Sequence, residues 1–433
     1  MTGSGAGLTG AVPTGTGRTG TGPTGTGPTG SELIRTGPIR YATAERFGRP
    51  RAVAAGDTRP SGGEICPQPP SRLDAVMGPP RDGRPQGEDC LNLTVTTPAR
   101  DGGARPVMVW FHGGGFSSGA GLMDWYDGGA LAAQGDVVVV GVNYRVGALG
   151  YLCLDGVSEG NLGLYDQLEA LRWVREHIAE YGGDPGSVTV FGQSAGGISI
   201  RLLMEMDEAR GLFRRAILQS APLALTERSR DDAAELGRIF AEYLAARGES
   251  PSTAGHAALL EAQRETAVAH LRRSGSAMEP PFSPVDGVLT RNGAAFAENV
   301  RGLDVLYGWN ADDMTAFPGV EGEPAELTAR MYAAPLAELG GRLVRAGARV
   351  HAYRLDWRPA GSAFGATHCV ELPLLLGSEG AWQGAPMLGS TPWPEVDALG
   401  AELRATWLGF VRTGVPGAAP GPLHCSEGPV PGR

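Results

Sequence analysis

Apolar residues recur along this chain in short runs at 106–111, 136–143, 187–191, 214–219, 303–307 and 349–355, nearly unbroken except at 214–219 and 349–355. Runs of that length predict strands of a sheet, buried on both faces where they are rich in β-branched residues and free of polar alternation. Between them the apolar positions fall three and four apart, as in Leu164, Leu168, Leu171 and Ile178, which predicts helices over 164–181, 195–206 and 397–412. Strand and helix therefore alternate, and the expected class is α/β, a mostly parallel central sheet with helices on both faces. From 227 to 273 Glu, Arg and Ala spread evenly with no strand-like run, which predicts a helical insertion, read as a lid, before Phe282-Ser283-Pro284-Val285 returns the chain to the core.

The two ends depart from this pattern. Residues 1–30 hold 9 Thr and 11 Gly with one charge, Arg18, and that composition cannot bury a core. Residues 1–33 are therefore expected to be a disordered Thr/Gly/Pro-rich tail, of which 1–30 are removable without loss of activity, unless the start site lies upstream of the true one. The body spans 34–413, and 414–433, rich in Pro and Gly, is expected to be irregular. No run approaches the roughly 20 apolar residues that span a bilayer, and no secretory leader is read at the start, so the expected location is the cytoplasm. A net charge of −10 disfavours nucleic acid and anionic membranes as partners. The five cysteines show no metal-ligand spacing, so neither metal nor cofactor is expected.

Chemistry enters at Gly192-Gln193-Ser194-Ala195-Gly196, where the strand 187–191 ends and the helix from 195 begins. A serine at such a strand-turn-helix apex is lifted above the sheet, and glycine on either side leaves room for the tight approach. A neutral hydroxyl needs a base to take its proton and donors for the developing oxyanion. The donors are found in His112-Gly113-Gly114-Gly115-Phe116, directly after the strand 106–111. A phosphate loop would require Lys followed by Ser or Thr after the glycines, and that pair is absent.

Several blocks in order give these motifs a family. Glu88-Asp89-Cys90-Leu91-Asn92-Leu93, the glycine loop, Asn143-Tyr144-Arg145-Val146-Gly147, Gly182-Gly183-Asp184-Pro185 and the serine elbow together resemble the type B carboxylesterases: cholinesterases, liver carboxylesterases and bacterial p-nitrobenzyl esterases. The resemblance runs over about 34–412, is densest between 88 and 200, and implies the α/β-hydrolase fold. It implies Asp313, in Gly308-Trp309-Asn310-Ala311-Asp312-Asp313, as the acid where most relatives have Glu. It likewise implies His368, in Gly365-Ala366-Thr367-His368-Cys369-Val370-Glu371-Leu372-Pro373, as the base. The order serine, acid, histidine is that of α/β-hydrolases. The other six histidines lack this context.

The same resemblance implies backbone N–H groups of Gly114, Gly115 and Ala195 as the oxyanion hole, and ion pairs Arg46–Glu88 and Arg145–Asp166 whose breakage costs about 3–5 kcal/mol when buried. Cys66 and Cys90 occupy positions bonded in secreted relatives and are expected to be reduced here; Ser220 is either a partner of the acid or an ordinary strand-end serine. Gln193 stands where Glu is commoner, the stretch from Asp313 to His368 is short, and the end lacks the family's closing segment, which reads as truncation. The implied activity is serine hydrolysis of a small-molecule carboxylic ester through an acyl-enzyme. An amidase or carbamate hydrolase with the same triad, and a non-catalytic binding module, are the other readings; the oligomeric state is open.

Overall fold

The structure, a computed structural model, describes residues 33–53, 61–81, 83–225, 227–286 and 293–429. Apart from Leu33, the expected N-terminal tail lies outside these residues.

Nine strands form one sheet: β1 (Ile34–Arg40), β2 (Asn92–Thr97), β3 (Arg105–Phe111), β4 (Val138–Val142), β5 (Gly183–Gln193), β6 (Arg215–Gln219), β7 (Asp304–Asn310), β8 (Arg349–Leu355) and β9 (Leu423–Glu427), in the order β1-β2-β4-β3-β5-β6-β7-β8-β9. The six strands from β4 to β8 run parallel, and antiparallel pairings close both edges. The unbroken apolar runs follow from burial on two sides. In β3, Val107, Val109 and Phe111 join one core with Leu164, Leu168 and Ile198, while Met108 and Trp110 join the other with Leu131, Leu403 and Trp407.

The covering helices are α1 (Gly129–Gly135), α2 (Leu162–His177), α3 (Ala195–Glu205), α6 (Ala334–Arg345) and α7 (Trp393–Thr413), with α1 and α7 on one face and the others opposite. Trp407 of α7 is fully buried with its ring 5.0 Å from that of Tyr353 on β8, a contact whose truncation to Ala would cost about 3–5 kcal/mol. The stretch read as a lid consists of α4 (Arg230–Ala245) and α5 (His256–Ser274). Ser229 caps α4 by accepting from Asp232 N, and Asp231 and Asp232 lie in its first turn, where the helix dipole favours them.

One expectation fails. The end read as irregular contains β9, which pairs with β8 from Leu355↔Leu423 to His351↔Glu427. Its residues are mostly polar and exposed because an edge strand packs only one neighbour, and backbone hydrogen bonds rather than apolar burial hold it. Both ion pairs form. Arg145 Nε and Nη2 donate to the two oxygens of the buried Asp166 at 2.8 and 2.7 Å, and Nη1 donates to Gly48 O at 2.8 Å. Arg46 Nε donates to Glu88 at 3.0 Å and its Nη1 to Ala254 O at 2.6 Å, tying the helical insertion to the body. Cys66 and Cys90 are buried free thiols. No helix among the described residues is long and apolar enough to cross a membrane.

Candidate active site

Strand β5 ends at Gln193 and α3 begins at Ala195, so Ser194 takes the whole turn, with φ 55° and ψ −121°. A non-glycine residue there is strained, and a rigid surround must hold it. That surround is visible: Ser194 N donates to Gln219 O at 2.8 Å, and Gly196 lies so close to β3 that a Cβ would run into Phe111 O. The Ser194 side chain opens onto a cavity of about 240 Å³.

Asp313 follows β7 by three residues and opens a 3₁₀ turn, Asp313–Ala316. Its Oδ1 accepts from His368 Nδ1 at 2.7 Å; its Oδ2 accepts from Ser220 Oγ and from Asn310 N, both at 2.9 Å. Asp313 and His368 are each fully buried. Of the two readings for Ser220, the structure shows the partner of the acid. Asn310 Nδ2 donates to Thr367 O at 2.9 Å and to Glu371 Oε2 at 2.6 Å, bracing the histidine loop from beneath. Burial, and then the neighbouring Asp313 charge, push the Glu371 carboxyl above its ordinary range.

With Nδ1–H directed at Asp313, the imidazole lone pair lies on Nε2. Gln193 Nε2 sits 3.0 Å from that nitrogen, so its amide donates to the lone pair. Among the described residues no hydrogen bond joins His368 to Ser194 Oγ. Phe317 and Tyr332 tilt against the imidazole, ring centres 5.4 and 5.6 Å away.

Asp312 turns the other way, though not simply to the surface. Its carboxylate accepts from Arg358 Nε at 2.8 Å and Nη2 at 3.0 Å and from Ala366 N at 2.9 Å, fastening the loop two residues before His368. Asp312 also stands at the N-cap of the 3₁₀ turn that Asp313 opens.

The glycine loop leaves β3 through left-handed backbone at Gly114, Gly115 and Phe116, with φ of 116°, 59° and 57°. A Cβ at Gly114 would run into Ser118 O, so only glycine fits. Gly114, Gly115 and Ala195 line the same cavity as Ser194, and a run of left-handed residues turns successive N–H groups toward one point.

His112, set aside in the sequence, holds this loop. Its ring stacks on Tyr144 at 4.2 Å and 13°, Nδ1–H donates to Gly113 O at 2.8 Å, and Nε2 is buried with no partner among the described residues. Burial lowers its pKa to about 4 from 6.5. The unfolded chain therefore takes up this proton at a higher pH than the folded one. His112 contributes its full stability above about pH 6.5 and loses about 2–3 kcal/mol as pH falls toward 4.5. His112→Phe keeps the stack and cannot titrate; urea unfolding at pH 7 and 4.5 is expected to show that share of acid destabilisation missing in the variant. Equal losses in both proteins would show that His112 protonates normally in the fold.

Among the described residues no cluster of His, Cys, Asp and Glu is arranged to hold a metal. The structure thus brings Ser194, Asp313, His368, Gly114, Gly115 and Ala195 to the carboxyl ends of neighbouring strands, as in other open α/β sheets. The amide of Gln193 on His368, the Asn310–Glu371 brace and the rings of Phe317 and Tyr332 were not anticipated. Only the unusual Gln before the serine signalled any of them.

Comparison with known proteins agrees with the geometry. The sequence model described as carboxylesterase family matches residues 38–328. The chain is 40% identical to a probable N-octanoylanthranilate hydrolase of Rhodococcus erythropolis, over 89% of this chain and 90% of that one. It is 34% identical to the para-nitrobenzyl esterase of Bacillus subtilis, over 82% and 79%. A solved thermophilic p-nitrobenzyl esterase superposes with a TM-score of 0.76 at 30% identity, covering 89% and 88% of the two chains.

Proposed function

The chain belongs to the carboxylesterase family and cleaves carboxylic esters as a serine hydrolase, and from that premise we propose that Ser194 is the nucleophile, His368 the base and Asp313 the acid. The observation that carries the assignment is the 2.7 Å contact between the buried Asp313 and His368 behind a serine held at φ 55°. Ser194 Oγ attacks the ester carbonyl carbon while His368 Nε2 takes its proton, which requires the Gln193 amide to give up that lone pair. The carbonyl oxygen, now negative, receives the N–H groups of Gly114, Gly115 and Ala195. Asp313 holds the imidazole in the tautomer that leaves Nε2 basic and balances the imidazolium charge. Collapse expels the alcohol, which takes the proton from His368. Water, deprotonated by the same nitrogen, then releases the acid.

Cleavage of an amide by the same steps is the second reading. It is supported by the Rhodococcus relative, a probable N-octanoylanthranilate hydrolase. The two separate on leaving group: a p-nitrophenyl ester and the p-nitroanilide of the same acyl chain, compared at one pH, are expected to favour the ester. A larger kcat/KM on the anilide would reverse the ranking. To test the nucleophile directly, a fluorophosphonate probe is expected to modify the peptide containing Ser194, located by mass spectrometry; modification of another serine would overturn the assignment.

A further inference from the structure

We infer that the substrate carries a carboxylate close to its scissile bond, held by Arg72 and the hydroxyl of Tyr332. This rests on the ester-hydrolase reading and adds the charge of the substrate to it.

Arg72 lies in the connection from β1 to β2, on a turn with Leu73, and lines the same cavity as Ser194. A Cβ on Gly115 would fall 2.8 Å from Arg72 Nη2, so the guanidinium lies against the glycine loop. Its Nη1 donates to Ala277 O at 2.8 Å. Among the described residues no carboxylate reaches it. Of the other charges that line this cavity, Arg228 pairs with Asp232 and Glu227 with Arg201, while Glu279 lies 3.5 Å from His270. Desolvation by the surrounding atoms pulls the Arg72 pKa below its ordinary value with no carboxylate beside it to raise it, while the residue stays exposed and open to a ligand.

A second group points the same way. Tyr332 is fully buried, lines the cavity, and its hydroxyl has no hydrogen-bond partner among the described residues. A buried hydroxyl left unpaired is costly and calls for an occupant. Its ring flanks His368 at 5.6 Å, and Arg72 is near enough for each to act on the other's ionisation. A planar fork of N–H donors and one unpaired O–H donor, on two residues that wall the same space beside the triad, match a carboxylate. The two oxygens accept from the guanidinium and one accepts from the phenol as well. The net charge of −10 does not oppose this, because charges beyond a Debye length of about 8–10 Å are screened and the contact is local.

The test uses matched pairs that differ in one carboxylate. On the leaving-group side, acetylsalicylate is compared with phenyl acetate; on the acyl side, the mono-p-nitrophenyl ester of glutaric acid with p-nitrophenyl butyrate. In at least one pair, Arg72→Gln is expected to lower the anionic-to-neutral ratio of kcat/KM about 10- to 100-fold. Tyr332→Phe is expected to lower it about 3- to 10-fold. Arg72→Lys, keeping the charge but not the fork, should fall between wild type and Arg72→Gln. The pair that responds tells which side of the ester carries the charge. Ratios unchanged by both variants in both pairs, with the neutral esters still cleaved, overturn this inference and leave the ester-hydrolase reading standing. Failure of the wild type on all four esters takes both down.

Discussion

Ser194→Ala is expected to lower kcat on p-nitrophenyl butyrate by about 10⁶, leaving a residual about 10³–10⁴ above water from the glycine loop and binding. The size of the loss comes from the arrangement. In the proposed mechanism His368 and Asp313 serve one oxygen, and with that oxygen gone neither has a proton to move. The fold is expected to survive, because Ser194 is fixed through its backbone: its N–H on Gln219 O and its place between β5 and α3 do not involve the hydroxyl. Replacement by Ala keeps the strained turn, so circular dichroism and thermal unfolding should match wild type while turnover vanishes. Near wild-type activity in pure variant protein would remove the elbow from the mechanism.

The second large effect separates two adjacent acids. Asp313→Asn is expected to cut kcat by about 10⁴, since an amide at that position favours the tautomer with the proton on Nε2 and deprives the serine of its base. Asp312→Asn should cost less than about tenfold. Its partner Arg358 is exposed, and an exposed ion pair contributes about 0–1 kcal/mol; the amide oxygen can still accept from Ala366 N. Both variants measured on one ester decide the matter: the opposite ranking would make Asp312 the acid, and two mild effects would send the search to Glu371, the other buried carboxylate near His368.

What could be read from the chain was what lies close together in it. The elbow and the glycine loop are local signals, since the residues that force the turn are neighbours of the residue it presents. The six parallel strands were legible because burial on two faces leaves few polar positions in most of their runs, β8 with Arg349, His351 and Arg354 being the main exception. Strand β2 carries the other strand signal, Asn92, Thr94 and Thr96 alternating with Leu93 and Val95 at period two, which a pattern of unbroken apolar runs does not pick out. Strand β1 is interrupted by Gly37-Pro38, where its register with β2 shifts, and β9 is polar throughout its exposed part. Arg72 and Tyr332 are 260 positions apart. Nothing in either neighbourhood marks it, because an unmatched charge is a property of what the fold fails to place beside it.

The order in which the site is assembled has a consequence for synthesis. Ser194 and the glycine loop belong to strands complete by Gln219, whereas Asp313 and His368 arrive with β7 and the loop after β8. At about 5–20 residues per second, the stretch from Gln219 to Glu371 takes a ribosome roughly 8–30 s. Throughout that interval the nascent chain can present a strained serine with no base behind it. Ester cleavage is therefore silent until the parallel sheet has been extended past its middle, and the appearance of activity marks the docking of the last parallel strands rather than the formation of the nucleophile.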